Sequence, residues 1–546
     1  MDITHLAHWW NLLKNSSYFV KKEQLSEDAF VACVLFASLF VLYLGYRLLS
    51  FVSPVKKLKR VGLNVLDKAF GISGKVEKGL NEIKKEVHKA KHVPFDVTYS
   101  SVPKLSDQEI IDRLEKIKTV DRQKESEAKQ GGNYYFSNKE DNREFVSKLA
   151  SNFFYTNPMH FDSCPGSQLI ENELIRFMLD LTNAPKGAVG TTTSGGTESI
   201  LLAMLAYREY GLKKGISDPE VLIPESAHVA FMKAAHLFKI KVNLIKVSEE
   251  TGEFDLKTFL GAINRSTVAV VCSAGTYAHG VIDPIGEVSK ALKNTDIWIH
   301  VDSCLGGYLS TGSMLKGDGR IPVVDFRHDK VGSVSMDPHK YGESPKGCSV
   351  IMFRNEELKK YSLFYYMNWN GGIYATPSLP GSRAAAANIG AWISMARLGK
   401  EGLVHNYEKI VKTLDSVVAI IEEFPELKVV GNPKICVVTF TTKKDSGVSI
   451  FDIQEAIKKD GWDLSVTQKP YAIHITITKN NMENLLSNFK PSLKKAIEYA
   501  RSKPNCGKDS FYNVFYGSLL KLPDNDMIEN AIKTLIVEVN RLNFDD

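Results

Sequence analysis

Short apolar runs recur along the middle of the chain, at residues 221–223, 242–247, 268–272, 297–301 and 348–353, and helical patterns separate several of them. Runs this short and this apolar suit strands buried on both faces. Strands alternating with helices build an α/β domain around a mostly parallel sheet. The alternation begins near residue 145. Past about residue 400 a long helix, 402–424, precedes an apolar run at 435–441, a helix at 450–460 and a second run at 472–478. That order predicts a smaller α+β domain at the C-terminus. Residues 106–118 read as a helix opened by a capping box, Ser106 with Glu109.

A second feature constrains where the chain resides. Residues 29–46 carry no charge and are almost wholly apolar, and Leu48, Leu49, Phe51 and Val52 extend the run. A helix of that length crosses roughly 30 Å of hydrocarbon. The run starts late and no small-residue cleavage site follows it, so it reads as an anchor rather than a cleaved signal. Arg47, Lys56, Lys57, Lys59 and Arg60 follow it, while Lys14, Lys21 and Lys22 before it are offset by Glu23, Glu27 and Asp28. The bias predicts a lumenal N-terminus and a cytosolic body. The expected division is a lumenal tail 1–28, a transmembrane helix 29–49, a basic linker 50–100, an N-terminal segment 101–150, a large domain 151–400 and a small domain 401–546.

The seven cysteines are scattered and form no CxxC pair, which gives a zinc site no support and suits a reducing compartment. The net charge of +6 is modest, and its lysines are not gathered with aromatics on one motif, so nucleic acid is not an expected partner.

Four stretches carry chemistry. Thr193-Ser-Gly-Gly-Thr-Glu-Ser199 is a glycine turn opening a helix, a place where free N–H groups and the helix dipole attract phosphate; a plain N-cap reads equally well. His228 follows a short strand, where an imidazole can stack on a flat ring or serve the structure. Asp302 ends the apolar run 297–301. A carboxylate there can hold a protonated pyridine nitrogen, or cap the next element. Lys340 follows His339 in the turn of residues 333–347. Burial and neighbouring cations lower a lysine pKa and free the amine for a Schiff base, although a surface lysine also fits this stretch taken singly. Taken in order, the four supply holds for a phosphate, a ring face, a ring nitrogen and an aldehyde. This order resembles pyridoxal-phosphate enzymes of fold type I, the aspartate aminotransferase type.

The chain further resembles the sphingosine-1-phosphate lyase family. The resemblance rests on Asn157-Pro-Met-His160, Pro165-Gly166, residues 193–200, His279-Gly-Val-Ile-Asp-Pro284, residues 300–307, His339-Lys-Tyr-Gly342 with Pro345-Lys-Gly347, Gly371-Gly-Ile-Tyr-Ala375 and Gly381-Ser-Arg383. It implies retro-aldol cleavage of a phosphorylated sphingoid base into a long-chain aldehyde and phosphoethanolamine. It also implies pyridoxal 5'-phosphate as cofactor, a lipid substrate, a homodimer and an endoplasmic reticulum membrane location. By position, Lys340 is implied as the Schiff-base lysine, with Asp302, His228, His339, Gly195, Gly196 and Thr197 around the cofactor. Ser382 is implied to reach it from a partner subunit. Tyr135, His160 and Lys346 are implied for the substrate phosphate, and Lys346, Tyr277 or His279 for proton transfer. No metal is implied.

The chain departs from the family pattern at Met336, Pro338 and Glu343, in Ala384-Ala385 after Ser382-Arg383, and in the loop Ala274-Gly-Thr-Tyr-Ala278. Pro338 removes a backbone donor beside Lys340. Glu343 brings a carboxylate close to the expected phosphate lysine, where it would weaken phosphate binding. Two other readings share these residues: a pyridoxal-phosphate amino-acid decarboxylase, and a paralogue that keeps the fold with weak or no lyase activity.

Overall fold

The computed structural model describes residues 103–136, 142–160 and 162–503, with Glu529, Lys533, Ile536 and Val537; the expected tail, transmembrane helix and linker lie outside the described residues. Among the described residues no helix is long and apolar enough to cross a membrane.

Seven strands form the main sheet: β1 (Val189–Thr193), β2 (Glu220–Pro224), β3 (Lys241–Ile245), β4 (Thr267–Ser273), β5 (Trp298–Asp302), β6 (Val331–Met336) and β7 (Ser349–Phe353). Their order is β1-β7-β6-β5-β4-β2-β3. β7 runs antiparallel to both neighbours, and the remaining pairings are parallel. This is the mostly parallel α/β sheet that the apolar runs predict. β4 is buried at every position, as its Val-rich sequence requires, whereas β3 at the edge is partly exposed.

β1 and β6 escape an apolarity search, because their sequences are VGTTT and VGSVSM. Both are nevertheless buried, and apart from Thr191 Oγ1, which has no partner, their hydroxyls are paired. Thr193 Oγ1 lies 2.7 Å from Ser199 Oγ, which lies 2.8 Å from Ser349 Oγ, and that hydroxyl donates to the Met336 carbonyl. A buried hydroxyl satisfied in this way costs little and lets a polar strand sit in a core.

An exposed antiparallel hairpin follows, β8 (Phe364–Trp369) with β9 (Gly372–Thr376). The helix Ala386–Glu422 then links the two sheets, packing on the helices Pro165–Leu181 and Gly307–Lys316 and later on β10 (Leu427–Val429) and β11 (Val437–Thr442). It is two helices joined at Gly399, whose φ of 59° is the left-handed conformation that glycine adopts freely. With β12 (Ser465–Gln468) and β13 (Tyr471–Thr476), the C-terminal strands form an antiparallel sheet of order β10-β11-β13-β12. The helices Ile450–Lys459 and Phe489–Arg501 pack with it, burying Trp462 against Phe489. The N-terminal helix Asp107–Glu127 carries the expected capping box, with Ser106 and Glu109 bonded reciprocally.

Candidate active site

The C-terminal ends of β5 and β6, the turn after β1 and the loop after β4 converge on one cavity of about 420 Å³. This is where ligands bind in open parallel sheets. Gly195, Gly196 and Thr197 line it at the N-terminus of the helix Gly196–Lys213. Free N–H groups and the positive end of the helix dipole would favour an anion there. A Cβ at Gly196 would fall 2.8 Å from Asp337 Oδ2 and 2.9 Å from Cys304 Sγ, so only glycine permits this approach.

Asp302 lines the cavity from the end of β5, its Oδ1 accepting the Cys304 N–H at 3.1 Å. His228 lines another side, where Nδ1 accepts the Ala230 N–H at 3.1 Å and leaves Nε2 to carry the proton of the neutral ring. His339 is held by Cys348 O at 2.7 Å from its Nδ1. Tyr135 is buried, edge-on to Tyr341 at 5.1 Å, and burial raises its phenol pKa. Tyr277 lines the cavity half exposed, its ring 4.4 Å from His474.

Lys340 sits in the turn that leaves β6, with Nζ 3.1 Å from Asp337 Oδ2. The sequence pointed to a lowered lysine pKa. Burial does pull it down, but the Asp337 carboxylate, helped by Cys304, Tyr135 and Asp302, overrides burial and holds the ammonium above its ordinary range. Burial likewise pushes the Asp337 carboxyl up, and Lys340, then His339, bring it below the usual range. Asp337 was no candidate from sequence, although an acid three residues before the lysine, at the end of a strand, was the available signal. Its Oδ1 is buried without a partner, and the residue lines the cavity.

Lys346 lies beside this cavity, its Nζ 4.9 Å from the centre of the Tyr135 ring, and lines an adjoining cavity of about 310 Å³ with Tyr134 and Phe136. Burial, then Lys340, lowers its pKa. His279 does not line either cavity. It is buried behind its loop, with Nε2 3.0 Å from Lys469 O. His160 and Ser382 are exposed and also lie outside this chain's cavity. They sit on two loops tied together: Asn157 Oδ1 accepts the N–H groups of Met159 and Arg383, and Arg383 pairs with Glu171 at 2.9 Å.

Among the departures from the family pattern, the 274–278 loop places Gly275, Thr276 and Tyr277 in the cavity wall, whereas Met336, Pro338 and Glu343 are held by neighbours outside that cavity. Met336 is buried against Gly307, outside the main cavity. The Pro338 carbonyl accepts the Ser344 N–H at 3.1 Å. Glu343 lines the same adjoining cavity as Lys346, and its carboxylate is held 2.9 Å from Lys479 Nζ, in the segment after β13, and 2.6 Å from Asn406 Nδ2.

A glycine-opened helix N-terminus, an imidazole, a strand-end carboxylate and an amine, all lining one cavity, fit pyridoxal phosphate. The fold and site therefore define a pyridoxal-phosphate-dependent enzyme, and the family model described as the pyridoxal-dependent decarboxylase conserved domain matches residues 108–443. The chain is 33% identical over 474 residues to the sphingosine-1-phosphate lyase of Dictyostelium discoideum, covering 86% of this chain and 88% of that one. It is 34% identical over 465 residues to sphingosine-1-phosphate lyase 1 of Rattus norvegicus, covering 84% and 80%. The solved sphingosine-1-phosphate lyase of Burkholderia pseudomallei superposes with a TM-score of 0.72 at 30% identity, over 80% of this chain and 99% of that one. The chain belongs to the sphingosine-1-phosphate lyase family.

Proposed function

We propose that this protein cleaves phosphorylated sphingoid bases between C2 and C3, releasing a long-chain aldehyde and phosphoethanolamine. The observation that carries the reading is the cavity, where the Lys340 amine, the Asp302 carboxylate and the Gly195–Thr197 turn face one another, in a chain of this family. Pyridoxal phosphate, when bound, supplies an aldehyde for the substrate amine and a ring that accepts the electron pair of the broken bond.

The chain's own residues do the positioning. The N–H groups of Gly196 and Thr197 and the Thr197 hydroxyl take the cofactor phosphate. Asp302 would keep a proton on the ring nitrogen, and His228 and His339 would pack on the ring. Lys340 would supply the amine for the cofactor aldehyde, and Asp337, 3.1 Å away, holds that amine in place. Tyr135 and Lys346 meet the substrate phosphate at the rim, where a cation and a phenol suit a doubly charged group. Within the Tyr277–His279 loop, Tyr277 faces the cavity and is the proton carrier, because the His279 imidazole is bonded to the Lys469 carbonyl.

The working unit is a homodimer with shared sites. Two observations support this. His160 and Ser382 lie on exposed, mutually bonded loops away from their own cavity, and the hairpin β8–β9 exposes Tyr365, Met367 and Ile373. Exposed apolar side chains gathered in this way mark an interaction surface. The anchor read at 29–49 and its flanking cations support a single-pass membrane protein with a lumenal N-terminus and the catalytic body in the cytosol, and the family resemblance supports the endoplasmic reticulum as its membrane. Purified protein given sphinganine 1-phosphate should release aldehyde. Carbon dioxide from amino acids, without aldehyde, would replace this reading with a decarboxylase.

A further inference from the structure

His300 lies two residues before Asp302 on β5 and is buried outside the cavity. Its ring meets the edge of Phe231 at 5.6 Å. Nδ1 is 2.8 Å from Ser333 Oγ and Nε2 is 3.4 Å from Ser335 Oγ. Both serines are on β6, paired alongside. The line continues in both directions. Ser333 Oγ is 2.6 Å from the Tyr207 hydroxyl, which reaches the Ile299 carbonyl at 3.4 Å. At the other end, Cys304 Sγ is 3.3 Å from Ser335 Oγ, and Cys304 lines the cavity. A hydrogen-bonded row thus runs from the interior of the large domain to the cavity wall.

Each hydroxyl has one proton, and so does a neutral imidazole. At one end the Tyr207 O–H has a carbonyl to donate to. At the other, the Cys304 sulfur is a poor acceptor. Both ends favour one direction: Ser333 donates to Tyr207, the His300 Nδ1–H donates to Ser333, and Ser335 donates to the free Nε2. The Ser335 proton is thereby engaged, and its oxygen is left to accept the thiol S–H. We propose that His300 is a positioning residue which, by holding the Ser335 proton, turns the Cys304 S–H out of the cavity and keeps that thiol neutral beside Lys340.

The groups facing the thiol agree with this. Burial, then the Asp302 and Asp337 carboxylates, raise the thiol pKa, against smaller lowering by Lys340 and Ser335. In the structure the thiol is the donor to Ser335 Oγ, at 3.3 Å. A thiolate here would compete with the Lys340 amine for a carbonyl carbon, sulfur adding to carbon and a proton to oxygen.

The test is iodoacetamide labelling of the full chain between pH 7 and 9, with and without pyridoxal phosphate, reading the Cys304 peptide by mass spectrometry. His300→Phe frees the Ser335 proton to donate to sulfur. Labelling of Cys304 should then rise about tenfold, the effect of a one-unit fall in a thiol pKa. Ser333→Ala keeps the imidazole but moves its proton to Nε2, and should raise labelling in the same direction. His300→Phe with Ser335→Ala lacks the donor and should return to within about twofold of the unmutated chain. Cys272 on β4 and Cys348 just before β7, both buried, are internal standards. The proposal is overturned if neither single variant changes Cys304 labelling, if the rise persists in the double variant, or if Cys272 and Cys348 rise with it. The labelling needs no substrate, so its failure is separate from failure of the lyase reading.

Discussion

Glu343→Gln separates what the sequence suggests from what the structure shows. By sequence, Glu343 is a stray carboxylate near the substrate phosphate, and neutralising it would tighten substrate binding. In the structure its side chain is 5% exposed and bonded to Lys479, itself 10% exposed, with Asn406 donating to the same carboxylate. Removing one partner of a buried pair leaves the other charge uncompensated, a loss of about 3–5 kcal/mol. Asn406 and the backbone persist, so the lower end of that range is expected. Denaturant unfolding of the full chain should show the loss as a lower midpoint at unchanged slope. Adding Lys479→Met should recover most of it, because the stranded ammonium is gone. The Michaelis constant for phosphorylated substrate should stay within about twofold. A loss under about 1 kcal/mol together with a fall in that constant would refute the placement of Glu343 and restore the reading from sequence.

Gly196→Ala puts a methyl group 2.8 Å from Asp337 Oδ2, and overpacking of this kind costs about 1–3 kcal/mol; pyridoxal phosphate affinity, read by titrating its absorbance, should fall by about tenfold or more. Burial raises the Asp283 carboxyl to about 7. Because its folded pKa is raised, stability is lost as pH climbs from the unfolded value, about 3.9, through about 7. Asp283→Asn should therefore stabilise the chain progressively from pH 4 to 8, by at most ~4 kcal/mol, and a gain independent of pH would contradict it. If sites are shared between subunits, inactive Lys340→Ala mixed and re-associated with inactive Ser382→Ala should regain activity, up to about a quarter of the unmutated rate for random pairing. No recovery, with subunit exchange demonstrated, would make each cavity self-contained.

The central sheet was legible because β2, β4, β5 and β7 are buried on both faces and must be apolar. β1 and β6 were not, because Thr192, Ser333 and Ser335 satisfy their hydroxyls inside the core, which a hydropathy pattern does not register. The four groups facing the cavity were legible from their order along the chain, since strand ends of one sheet converge. Their ionisation was not. Asp337 is a neighbour of Lys340 through a turn, and this contact, rather than burial, sets the lysine's charge. His279 shows the converse limit: its loop reaches the site, but the imidazole points to Lys469. Glu343 needed the fold as well, because its partner Lys479 lies 136 residues away, in the segment after β13.

The most direct measurement incubates the full chain, loaded with pyridoxal phosphate, with sphinganine 1-phosphate and follows long-chain aldehyde and phosphoethanolamine by mass spectrometry. The account predicts both products in equal amounts from the unmutated chain and neither from Lys340→Ala, with that variant folded. Undiminished aldehyde release by Lys340→Ala, or release of carbon dioxide from amino acids in place of aldehyde, would contradict it.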